Sequence, residues 1–222
     1  MSNVTSDAVD RRRAAVYDVL AAIFDGDVAA LERGLEAAVF EPLASELPGQ
    51  AVDLPDADLD REALDLGYDN LFVVPGPHYV PPFASAHRDD PSEAFESDSS
   101  HHEAGQAGEL YGDPAREMAR LYDRVGFSPD VGEGFPDHVA AQLSFLAVLA
   151  RTASELEAGE TVDGADLSTV RELEAATLEQ LEWIESFTDA VDERDGDGVF
   201  AALAGFTSRL LAWDRSVHSR PD

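Results

Sequence analysis

Asp137 and His138 set a carboxylate beside an imidazole, the pairing from which general acid/base catalysis is built. A plainer explanation stands next to it, because an acidic residue in the first turn of a helix is favoured by the helix dipole alone. The sequence places no nucleophile or ligand set beside the pair, so a binding role is favoured over a catalytic one. Asp98, His101, His102 and Glu103, with His87 upstream, form a second group with metal-ligand chemistry. Adjacent histidines on a loop rarely make a preorganised site, however. Asp192–Gly198, DERDGDG, resembles a calcium loop but lacks the alternating ligands and the closing glutamate, and reads as a solvated turn. Trp183 and Trp213 stand at helical positions and read as core.

The elements that must hold these residues are helices. Pro136 suits the first helical position, which puts Asp137 and His138 in the first turn of a helix running through Ala150. From Val139 to Ala150 only Gln142 and Ser144 are polar, the composition of a helix enclosed by others. A first helix is expected from Ser6 or Asp7 to Gly26, and a second from Asp27 to about Phe40. A poorly ordered connector, Pro48–Asp58, follows, and then a helix over Leu59–Phe72. The next stretch exceeds thirty residues and holds five prolines with no helical period. Its first part, Val73–His87, is apolar and aromatic enough to pack, either as a cap on the core or as one wall of a peptide groove. Arg88–Gly105 reads as a mobile insertion. Asp113-Pro114 opens a further helix that Gly126 closes. After a break at Gly159–Asp166, a helix through Leu167 and Ile184 bends or breaks before Phe187, and a last helix runs from Val199 to Val217. With no alternating segment of useful length, the chain reads as all-α, one domain of about eight helices over residues 1–222.

Composition narrows the partners. Fifteen basic residues, every one of them arginine, face 46 acidic ones, a formal net charge of −31. With a hydrophobic fraction of 44% the chain is globular rather than disordered. An acidic surface of this size points to a cytoplasmic protein of an extreme halophile, whose salt screens the self-repulsion. At molar salt the Debye length is about 3 Å, so partners are recognised by direct contact. No basic stripe is evident for nucleic acid, and an anionic membrane surface is disfavoured for the same reason. The absence of cysteine excludes disulfides and thiol chemistry. No apolar run approaches transmembrane length and no signal-peptide core is evident. Arg11–Arg13 opens a helical stripe rather than an export signal.

The run Tyr68–Ser85, with Leu71-Phe72, Pro75-Gly76 and Pro81-Pro82-Phe83-Ala84-Ser85, resembles the signature of the TorD/DmsD family of redox-enzyme maturation chaperones. Leu110-Tyr111-Gly112-Asp113 and Pro136-Asp137-His138 follow in the family's order and at similar spacing. The resemblance covers nearly the whole chain from about residue 10. It implies an all-helical cytoplasmic chaperone without catalytic activity. Such a chaperone binds the twin-arginine leader of a molybdopterin oxidoreductase of the dimethyl sulfoxide or trimethylamine N-oxide reductase type, and delays export until the cofactor is loaded. By the same resemblance the leader-binding positions are Leu71, Phe72, Pro82, Phe83, Gly112, Asp137 and His138. Phe83 stands where tryptophan is common, and Arg88–Gly105 is longer than the family pattern. No cofactor or metal is implied as a resident group, while transient contact with the molybdopterin cofactor or a guanine nucleotide stays open, as does the choice between monomer and domain-swapped dimer.

The chemistry of such a partner suits these residues. Asp137 can accept a charge-assisted bidentate pair from a leader guanidinium, and a pair this short survives high salt. His138 near a helix N-terminus tends to neutrality and orients by hydrogen bonding. Two alternatives stand beside this reading: a helical metal-dependent hydrolase using Asp137, His138 and the loop histidines, and a regulatory helical domain that recognises another folded protein.

Overall fold

The computed structural model describes residues 3–48, 54–55, 59–87, 112–195 and 198–218. The expected insertion, the loop candidates Asp98, His101, His102 and Glu103, and the Leu110-Tyr111 pair lie outside these residues. Nine α-helices are present among the described residues and no strand, in keeping with the all-α reading. They are α1 (Asn3–Phe24), α2 (Ala29–Glu36), α3 (Glu41–Ala44), α4 (Arg61–Tyr68), α5 (Asp113–Asp123), α6 (Val139–Glu157), α7 (Leu167–Gln180), α8 (Ile184–Asp195) and α9 (Val199–His218).

The long apolar helix α6 is the axis of the bundle. Val139, Leu143, Leu146 and Ala147 are fully buried in the main core, and Phe145 and Leu149 turn to a second cluster with Met118, Tyr122 and Leu173. α1 packs along α6, with α7 on another side, and buries Val16, Leu20 and Ile23 as its 3.6-residue stripe requires. By length and composition α6 is apolar enough to cross a membrane, which corrects the expectation that no segment reaches that length. The same test is passed by a core helix, and most of its apolar window is buried in the bundle.

Several boundaries differ from the periodicity reading for local reasons. The second predicted helix stops at Glu36, because Ala38 takes a positive φ of 52° that turns the chain before α3. The helix expected over Leu59–Phe72 begins only at Arg61, where Asp60 caps the backbone N–H of Ala63. It then loosens into a π-helical turn over Asp69–Val73, a widening found often at functional sites. The break before Phe187 falls at Leu181–Trp183. The start of α6 matters most for function. Pro136 is not its first residue: His138 is the N-cap, and Pro136 and Asp137 lie in the turn before it. The aspartate therefore does not sit in a first helical turn, and the helix dipole is not what places it.

Beneath the apolar core lies a buried ionic cluster. Arg13 of α1 is 2% exposed and pairs with Asp10, with Glu174 of α7 at 2.9 Å and with Asp214 of α9 at 2.6 Å. Tyr17 donates its hydroxyl to the same Asp214 oxygen at 2.6 Å. Arg171 adds pairs to Asp10, Glu174 and Glu157 of α6. Charges this deep are tolerated only because each finds opposite charge and hydrogen bonds. The cluster connects α1, α6, α7 and α9.

Candidate functional site

Two loops far apart in sequence meet at the head of α6. The first, Val80–His87, leaves the π-helical turn as extended chain, and Val80 N–H donates to Leu71 O at 2.7 Å. The second, Val131–His138, leads into α6. They pair as a short antiparallel bridge between Phe83 and His138. Ala84 N–H donates to Asp137 O at 3.0 Å, and Val139 N–H to Pro82 O at 2.9 Å. The Pro-Pro-Phe-Ala-Ser and Pro-Asp-His motifs thus become one structural unit.

The second loop is shaped by contacts the sequence reading did not single out. Gly132 holds φ +74°, and a Cβ there would stand 2.8 Å from His138 Cβ, so both the turn and the close approach require glycine. Its N–H donates to Asp25 Oδ1 at 2.6 Å. Asp25 lies just past the C-terminus of α1, where a negative charge is disfavoured by the helix dipole; that misplacement is the one signal from which the contact can be guessed. Tyr122 donates its hydroxyl to Pro136 O at 2.8 Å and fixes the turn from the α5 side.

Asp137 is 1% exposed, and its Oδ2 accepts the Ser85 N–H at 3.0 Å. The carboxylate ties the two loops together through a side chain as well as through backbone. His138 is 5% exposed. Its Nδ1 accepts the Ala140 N–H at 3.1 Å, capping α6, so this nitrogen carries no proton and the neutral ring holds its proton on Nε2. Burial lowers the His138 pKa to about 4, in line with the expected neutrality. The imidazole meets the Phe83 ring edge-on at 5.0 Å, and Phe83 in turn meets Phe135 at 5.2 Å. Burial, and then the charge of Asp137, push the Tyr122 phenol well above its usual range, so it remains a donor.

The other expected site residues fall into two groups. Pro82 and Gly112 are buried at the same place, Gly112 as the N-cap of α5, which packs against the Ala84–Ala86 turn. Leu71 and Phe72 face inward. Phe72 is packed against Phe24, Tyr68, Phe187 and Phe200. The exposed apolar surface nearby belongs to residues outside the expected leader-binding positions: Leu66 at 62% exposed, and Val73 and Val74, which open the expected groove wall, at 52% each. Leu66 and Val73 lie about two turns apart along α4 and its π-helical turn, and Val74 is the extended residue that ends that turn.

His87 is not arranged as a ligand. Its Nε2 lies 2.7 Å from Pro81 O, its ring stacks on Trp183 at 5.4 Å, and Trp183 donates its indole N–H to Gln142 Oε1 at 3.1 Å. Burial lowers its pKa too. Among the described residues no group of three or more histidines and carboxylates is placed to hold a metal ion. What the site offers is a rigid, largely dehydrated corner with one buried carboxylate, one neutral imidazole and an apolar ridge beside it.

Comparison with known proteins agrees with the motif reading. Chaperone protein TorD from Vibrio cholerae serotype O1 is 30% identical over 111 residues in both the El Tor Inaba N16961 and the Classical Ogawa 395 strains. The match covers 49% of this chain and 48% of each relative, so the chain spans about half the length of the curated relatives it matches. These relatives are named as chaperones, not as enzymes. No solved structure matches significantly. The family described as nitrate reductase delta subunit matches residues 24–189, a span that contains the whole bridged corner and most of the bundle around it. The chain belongs to the nitrate reductase delta subunit family.

Proposed function

We propose that this protein is a cytoplasmic assembly chaperone for a molybdopterin oxidoreductase, and that it binds the client's twin-arginine leader at the corner formed by Pro82–Ser85 and Asp137–His138. The observation that carries the reading is the antiparallel bridge between Phe83 and His138, which joins the two family-like motifs into one unit. Family membership and the TorD relatives support the chaperone class. The protein is read as a single domain that retains no cofactor of its own.

In this reading the exposed apolar side chains Leu66, Val73 and Val74 receive the apolar part of the leader, and Asp137 supplies the charge that its arginines need. Because Asp137 is 1% exposed and holds Ser85 N–H, a guanidinium reaches it only as the Ala84–Ser85 turn shifts. Leu71 and Phe72 act from beneath, by setting the ridge.

The geometry also selects the variant for the test. Asp137→Ala would orphan the Ser85 N–H and cost about 1–3 kcal/mol of stability, which confounds binding with folding. Asp137→Asn keeps an acceptor for Ser85 and removes the charge. Calorimetric titration with a twin-arginine leader peptide in concentrated KCl should show binding at least about tenfold weaker for Asp137→Asn, the scale of losing one charge-assisted pair. Equal affinities in the two proteins would reject the site.

A further inference from the structure

We propose that the Ala84–His87 turn is a self-inhibiting strap across Asp137, and that the stack of His87 on Trp183 is the latch that keeps it shut. The buried carboxylates of the ionic cluster show what such a group ordinarily needs: Asp10, Glu174 and Asp214 each meet the Arg13 guanidinium. Asp137 is as deeply buried but has no guanidinium partner among the described residues. The Ser85 N–H, at 3.0 Å, is the donor that faces its side chain. A carboxylate can accept about four hydrogen bonds, and a charged donor binds it roughly twice as strongly as a neutral one. The strap therefore fills Asp137 with a weaker donor than the arginine side chain it would receive, so exchange is favourable once the turn lifts. Ala84 is fully buried, whereas Ser85, Ala86 and His87 are partly exposed, so the turn lifts from its Ser85–His87 end.

His87 closes that end in two ways. Its Nε2 donates to Pro81 O at 2.7 Å, which folds the loop onto itself. Its ring lies nearly parallel to the Trp183 indole, with centroids 5.4 Å apart, and meets Phe187 edge-on at 5.6 Å. Trp183 stands in the break between α7 and α8 and is fixed by Gln142 of α6, whose Oε1 accepts the indole N–H at 3.1 Å. An indole nitrogen only donates, so the carboxamide cannot turn over, and Gln142 Nε2 is left buried with no hydrogen-bond partner. Gln142 follows His138 by four residues and lies one turn behind it on the same side of α6. The closed strap thus has an under-bonded polar group at each end, the Asp137 carboxylate in front and the Gln142 carboxamide behind. Buried polar groups in that condition raise the free energy of the state that contains them, which keeps an open state within reach. With a fraction f of the molecules open, the apparent affinity for the leader is the intrinsic affinity multiplied by f. The latch sets that fraction. Only the leader as the displacing ligand rests on the proposed function; the latch itself does not.

The test follows one equilibrium by two routes, using the full chain in concentrated KCl. Amide exchange at Ser85, read by NMR, measures opening without any ligand, and calorimetric titration with a twin-arginine leader peptide measures what the opening admits. In wild type the Ser85 N–H should exchange by local opening, well before the N–H groups of Leu143 and Leu146 in the α6 core. His87→Ala removes the latch and should speed Ser85 exchange roughly three- to tenfold, the scale of one lost aromatic pair. It should tighten leader binding by the same factor. His87→Phe restores a ring over Trp183 and should return both values toward wild type. A residue that merely supports the fold would weaken binding when removed, so the sign separates a latch from packing. Leader binding equal to or weaker than wild type in His87→Ala, with Leu143 and Leu146 exchanging as before, overturns the proposal. So does a wild-type Ser85 N–H that exchanges only together with the α6 core, a result that needs no variant to fold. A leader that fails to bind wild type rejects the binding site at the corner, while Ser85 exchange still decides whether the strap opens.

Discussion

Acidification provides the sharpest check on how His138 is held. The folded protein keeps this imidazole neutral down to a pKa of about 4 because it is buried, whereas in the unfolded chain it takes up a proton near about 6.5. Below the unfolded value the unfolded state binds more protons, so stability is intact above pH about 6.5 and falls as the pH drops toward about 4. Integrating between those two values gives a loss of about 2 kcal/mol by pH 5 and about 3 kcal/mol by pH 4, after which this contribution levels off. His87 shifts in the same direction and many carboxylates begin to titrate in this range, so the comparison must isolate one residue. His138→Asn does so: asparagine is a favoured N-cap that can still accept the Ala140 N–H, and it does not titrate. Urea denaturation in fixed KCl at pH 7, 6 and 5 should show wild type losing about 2 kcal/mol more than His138→Asn across the series. Parallel losses in the two proteins would refute the claim that a neutral, buried His138 caps α6.

Two further outcomes follow from the same packing. Gly132→Ala places a Cβ against His138 in a left-handed backbone and should cost at least about 2 kcal/mol in urea denaturation; a cost within experimental error would mean that the Val131–His138 loop is not held as described. Arg13→Met strips the buried carboxylates of Asp10, Glu174 and Asp214 of their shared cation and should cost about 3–5 kcal/mol. Raising KCl should not restore it, because buried pairs are poorly screened, and recovery in high salt would show that the cluster is open to solvent.

Most of the bundle was legible because helices write their burial every three to four residues. Val16, Leu20 and Ile23 in α1 were readable from spacing, and Asp113-Pro114 with Gly126 marked both ends of α5. The head of α6 was not. Pro136 fits a first-helical-position rule, but Tyr122 holds its carbonyl and His138 takes the cap, so the helix begins three residues later than the rule suggests. The meeting of Phe83 with His138 has no period at all, since an isolated bridge leaves no repeating pattern in sequence. Only the order of motifs hinted that the two loops belong together. The inward turn of Phe72 follows from four aromatic neighbours spread over α1, α4, α8 and α9, a crowd that local periodicity does not reveal.

The buried ionic cluster bears on how the chain folds during synthesis. Arg13 and its partner Asp214 are separated by 201 positions, and at about 5–20 residues per second the ribosome needs roughly 10–40 s to deliver the second after the first. Through that interval the guanidinium has no reason to leave water, and α1 can rest against nascent α6 only provisionally. Sequence-distant closure of this sort slows folding, and here it makes the last helix the one that commits the first. A protein whose proposed task is to hold another polypeptide back until it is ready carries the same delay in its own assembly.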